Sequence, residues 1–170
     1  MASTDLNTIY TTALQNTRAL EKQGLEQMES QVKGLENYPE YARLLRDHIE
    51  VTRRQLQRLD DALGALGESR SALKEAVTNL AGRIGATVHA LAQDETLKNL
   101  YAGYGYQYDQ IAAYRSLIVF AEAAGQADHV AGFREAIEEE KRGAQGVDGL
   151  IETVTRQYIE RTLGGKKADS

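Results

Sequence analysis

The sequence contains no cysteine, which removes disulfides, thiolate nucleophiles, cysteine-ligated zinc and iron–sulfur clusters together. Any metal would have to be held by carboxylate, imidazole, phenol or amide groups. The absence leaves the redox compartment open. There is a single proline, and no run of β-branched and aromatic residues alternates as a strand would, whereas Ala, Leu, Glu, Gln and Arg are abundant. That balance favours an all-α protein. No apolar run reaches the roughly 18 residues of a spanning helix, and the N-terminal MASTDLNT has neither the basic flank nor the apolar core of a secretion signal. A cytoplasmic chain without membrane contact is expected. The net charge of −5 gives no general attraction to nucleic acid, and Arg53, Arg54 and Arg58 can act only locally. There is no G-x-G-x-x-G, Walker sequence or nucleophile elbow, so nothing points to a nucleotide site or a hydrolase.

What is present is helical periodicity. At 170 residues and 42% hydrophobic content the chain fits one domain, expected over 5–163, with flexible ends at 1–4 and 164–170. From about Asp5 to Leu35, the residues Leu6, Ile9, Ala13, Leu20, Met28, Val32 and Leu35 follow helical spacing. That stripe passes through Thr17, Glu21 and Gly24, which puts a carboxylate on an otherwise apolar face. Pro39 opens a second helix, whose stripe Tyr41, Leu45, Ile49, Thr52, Leu56, Leu59, Leu63 and Leu66 ends at Gly67. The short connection makes the two helices antiparallel neighbours.

A third segment, Ala72 to about Leu91, is capped by Ser69 or Ser71 and has one small face; it reads as a crossover. Asp94 caps the next helix, which stops at Gly125 and carries Leu97, Tyr101, Tyr104, Tyr108, Ile111, Tyr114 and Ile118, with Gln107 beside them. Gly103 and Gly105 interrupt that helix and suit either a close helix approach or a local bulge. The last helix is expected to run unbroken from near Asp128 to about Leu163, its stripe interrupted by Glu140.

Four long helices with a long connection only between the second and third predict a ferritin-like antiparallel four-helix bundle with an additional helical crossover. In that architecture a di-metal centre takes one Glu from each of two helices and a Glu-x-x-His pair from each of the others. The segments ALEKQ (19–23), DHIEVTRRQLQRL (47–59), QYDQIAAYRSLIVFAEAAG (107–125) and EEEK (138–141) resemble the YciE/YciF-type ferritin-like family of bacterial stress proteins. The resemblance implies a dimeric helical bundle linked to stress responses, with a di-metal carboxylate site.

Carried onto this chain, it assigns the metal to Glu21, Glu50 and Glu140. Gln107 and Gln110 stand where relatives have Glu-x-x-Glu, Arg53 where some have His, and Gly143 three residues after Glu140. The expected cofactor is therefore none, or weakly bound iron or manganese, since neutral amides ligate weakly and an Arg adds a fixed cation. Tyr104, Tyr108 and Tyr114 are expected to back the site, although tyrosines at helical spacing also read as core packing. His48, His89 and His129 read as surface or capping residues, and Glu21 has a plainer reading as a helical partner of Arg18. Two functions follow: a stress protein that still binds metal through those carboxylates, or a metal-free dimerisation or partner-binding bundle. Glu21, Glu50, Gln107 and Glu140 are expected to converge at one level of the bundle.

Overall fold

The computed structural model describes residues 5–67 and 95–169 and is all-helical among them. Helix α1 spans Leu6–Gln31, α2 Pro39–Ala65, α3 Glu95–Ala123, α4 Val130–Asp148 and α5 Ile151–Leu163, with 3-10 turns at Val32–Gly34 and Ala127–His129. Asp5 caps α1, its carboxylate accepting from the amide of Asn7. Pro39 stands in the first turn of α2, where its missing N–H costs nothing. Gly67 after α2 and Gly125 after α3 have φ of 86° and 71°, the left-handed stop that glycine adopts without penalty. The expected crossover at 72–91, with its caps and His89, lies outside the described residues.

Helices α1 and α2 form one antiparallel pair and α3 and α4 the other, with α1 against α3 and α2 against α4. The pairs bury two apolar cores, one at each end. Tyr10 and Leu14 meet Leu59, Leu63, Tyr114, Leu117 and Phe133 in the first. Leu35, Tyr38, Tyr41, Leu45, Leu100, Val147 and Val154 form the second. The end of α2 lies in the first core and the start of α3 in the second, at opposite ends of the bundle. This is the ferritin-like topology the periodicity predicts.

Three details differ from the expectation. The last helix is broken at Gly149–Leu150, where a tighter bond from the Leu150 amide to the Val147 carbonyl (2.9 Å) ends α4 and α5 restarts. Residues 164–169, expected as a free tail, fold back: Tyr38 donates to the Ala168 carbonyl (2.8 Å) and the Asp169 carboxylate accepts from the amide of Thr96 (3.0 Å), in the first turn of α3. Finally, the buried face of α3 is Thr96, Leu100, Gln107, Gln110, Ile111, Tyr114, Leu117 and Ala121, whereas Tyr101 and Tyr108 face outward. A Cβ on Gly103 or Gly105 would meet nothing within 4 Å, and α3 is continuous through both, so neither a close helix contact nor a bulge explains them.

Candidate functional site

Between the two apolar cores lies a polar layer to which each of the four bundle helices contributes. Glu21 on α1 is fully buried, as is Glu140 on α4. From α2 come His48, Thr52 and Gln55, spaced by four and three residues down its inner face, and from α3 come Gln107 and Gln110, all buried. Gln110 donates to Glu21 (2.5 Å), and Gln55 donates to Glu140 (2.8 Å) and Glu139 (3.2 Å). The layer is thus two carboxylates held by amides.

Three of the four residues expected to converge do so. Glu50 does not: its side chain is 60% exposed and pairs with Arg53 (2.5 Å), which in turn reaches Glu29 (2.7 Å). The physical reason is helical phase, since Ile49 and Thr52 take the inward positions and Glu50 is rotated about 100° from Ile49. Arg53 is accordingly a surface cation and places no charge in the layer. The inward pair on α2 is Thr52 and Gln55, three residues apart, where a Glu-x-x-His pair would stand. Among the tyrosines, Tyr114 is buried and faces Glu21, while Tyr104 packs on the second core and meets the exposed Tyr108 edge-on at 5.4 Å. Tyr104 and Tyr108 do not back the layer.

His48, Thr52, Gln55 and Glu139 are the residues sequence reasoning missed. The Nε2 of His48 lies 3.3 Å from Glu140 Oε2, without the alignment of a hydrogen bond. Gly143 makes room for this ring: a Cβ there would stand 2.8 Å from His48 Cε1 and 2.7 Å from the Gln107 amide nitrogen. An imidazole reaching across from α2 thus occupies the space that the residue three after Glu140 would fill. Glu139, also buried, is held from outside by Arg58 (2.7 Å), so it belongs to a paired rim rather than to a solvated face. Arg18 pairs with Asp60 and leaves Glu21 without a cation.

Burial, and next the charge of Glu140, raise the Glu21 carboxyl to about 8. Burial likewise pushes the Tyr114 hydroxyl well up, with the Glu21 carboxylate adding to it. Both groups are therefore protonated at neutral pH. Among the described residues, seven buried atoms around the layer have no hydrogen-bond partner in good geometry, although the Tyr114 hydroxyl faces Glu21: Glu21 Oε1, His48 Nε2, Thr52 Oγ1, Gln55 Oε1, Gln107 Oε1, Tyr114 Oη and Glu140 Oε2.

Two metal ions do not fit this donor set. The architecture supplies a di-metal centre with four glutamates and two histidines, whereas the inward-facing groups at this level are Glu21, His48, Thr52, Gln55, Gln107, Gln110 and Glu140. Two carboxylates cannot balance two divalent cations. Among the described residues no group of three or more acidic or histidine side chains is arranged to hold a metal.

A family described as a domain of unknown function, DUF892, matches residues 5–160. The chain belongs to the DUF892 family. That family is ferritin-like in fold, in agreement with the helix pairing. The structure is also similar to the crystal structure of a protein from Xanthomonas campestris pv. campestris, with a TM-score of 0.77 at 23% identity, over 93% of this chain and 98% of that one. At that identity the likeness speaks for the fold alone, and no helix among the described residues is long and apolar enough to cross a membrane.

Proposed function

We propose that this DUF892 protein is a ferritin-like, stress-associated protein of the YciE/YciF type whose di-metal carboxylate site has degenerated, so that it binds metal weakly or not at all. The supporting observation is the composition of the layer: among the described residues the only carboxylates facing its centre are Glu21 and Glu140, with the His48 imidazole beside them. Their charge suffices for one divalent cation of the iron or manganese type, and Glu21 loses its proton only at a cost unless that cation arrives. Elemental mass spectrometry of the purified protein should find less than one metal per chain. Restoring Thr52→Glu, Gln55→His and Gln107→Glu should raise occupancy, while Arg53→His, on the surface, should not. Two metals per chain in the unmodified protein would overturn the reading.

A second reading, a metal-free dimerisation or partner-binding bundle, draws on the outer face of α3. Tyr101, Tyr108 and Val119 are 50%, 53% and 64% exposed and lie about two and three turns apart on one side. Beside them, Ile111, Ile118 and Ile137 line a groove between α3 and α4 whose rim holds Arg115, Arg134 and Lys141 against one acid, Glu138. Light scattering at micromolar concentration should give a homodimer. A monodisperse monomer would remove dimerisation from this reading and leave the first intact.

A further inference from the structure

A pocket with a cavity volume of about 30 Å³ lies between α1, α2 and α3, on the side of the polar layer toward the second core. Half-buried Gln27, Gln31, Gly103 and Tyr106 and the buried His48 and Gln107 line it, beside apolar side chains of the second core such as Tyr41, Leu45 and Val147. His48 and Gln107 are each more than nine-tenths buried, and His48 Nε2 and Gln107 Oε1 have no hydrogen-bond partner within the protein, Nε2 lying 3.3 Å from Glu140 Oε2. We propose that this pocket is a binding site for one or two water molecules, or an equally small neutral hydrogen-bond donor, and the route by which such solutes enter the polar layer.

The class of solute follows from size and from chemistry. A single water needs roughly 10–15 Å³ of such space, so about 30 Å³ admits one or two and excludes a larger ligand. Gln107 Oε1 can only accept, as can the amide oxygen of Gln55 deeper in the layer, so what enters must bring donor hydrogens.

The shape of the pocket depends on two glycines. Gly24 lets the Tyr106 ring lie flat on α1, with its hydroxyl donating to the Leu20 carbonyl, because a Cβ at 24 would overlap that ring. Tyr106 is thereby fixed as a side wall. Gly103 has the opposite role: a Cβ there would meet nothing within 4 Å, and a glycine in a helix interior costs about 1 kcal/mol relative to alanine. A side chain there would project into the mouth. The route does not rest on a cation being bound.

The test uses the full-length protein and the side-chain amide protons of Gln107, whose exchange with water is read by NMR. In the parent they should exchange at least tenfold faster than the backbone amides of Leu59 and Leu117 in the first core. Gly103→Leu should slow the Gln107 exchange at least tenfold and leave those backbone amides unchanged. Gly105→Leu, the same change on the exposed side of α3, should leave it as in the parent. Gln107 protons that exchange as slowly as the core amides, an unchanged rate in Gly103→Leu, or equal slowing by Gly105→Leu would each overturn the proposal.

Discussion

Burial and the nearby Glu140 make Glu21 a proton-binding group of the folded state, and the sign of the consequence is fixed. Its carboxyl moves from an ordinary 4.5 to about 8, so between those values the native protein holds a proton that the unfolded chain releases. Stability therefore falls as pH rises through that window, by up to about 1.4 kcal/mol per pH unit. Urea unfolding from pH 5 to 9 should show this decline in the parent and a flatter profile in Glu21→Gln, which keeps the shape and removes the titration. Gly143→Ala should cost about 1–3 kcal/mol, because the added methyl must displace the His48 ring or the Gln107 amide in a packed layer; a melting temperature equal to the parent's would contradict that contact. At this scale the sequence was informative only where a polar residue lay on an apolar stripe. Glu21 and Glu140 were found that way. Thr52 lies on the apolar stripe of α2, whereas Glu50, which the resemblance implies, is out of helical phase with it. His48 and Gln55 were missed because long or ring-bearing polar side chains one turn from an apolar residue look like ordinary helix surface, and nothing local shows that a glycine on another helix makes room for the imidazole.

At the scale of elements, starts and stops were legible because they depend on local chemistry: Pro39, Gly67 and Gly125 each act through their own backbone. The inward face of α3 was not, because Tyr101, Tyr104 and Tyr108 repeat at helical spacing yet two of the three lie outside, and the buried row through Leu100 and Gln107 is polar at its centre. The break at Gly149 was missed because apolar periodicity continues across it through Val147, Ile151 and Val154. The returning C-terminal tail was missed as well, since its contacts are to residues far back in the chain. That tail makes a prediction of its own. Asp169 satisfies the Thr96 amide, and Tyr38, buried in the second core, is bonded to the Ala168 carbonyl. Removing residues 167–170 should destabilise the protein by about 1–2 kcal/mol, the usual worth of a lost cap, and hydrogen exchange should rise first in the opening turn of α3. A truncated chain with unchanged exchange there would show that the capping bond contributes nothing.

For the whole molecule, the layer of carboxylates and amides divides the apolar interior in two. Each part draws on residues distant in sequence, from Tyr10 to Phe133 in one and from Leu35 to Val154 in the other. Apolar burial is what makes unfolding cooperative, and it is interrupted where Glu21, Gln55, Gln107 and Glu140 meet. The bundle should then breathe as two halves instead of opening all at once. Native-state hydrogen exchange in rising denaturant should resolve two groups of amides with different opening energies, one around Leu14, Leu63 and Leu117 and one around Tyr41, Leu100 and Val147. The polar layer would in that sense be a seam, along which either end of the molecule comes loose while the other stays folded.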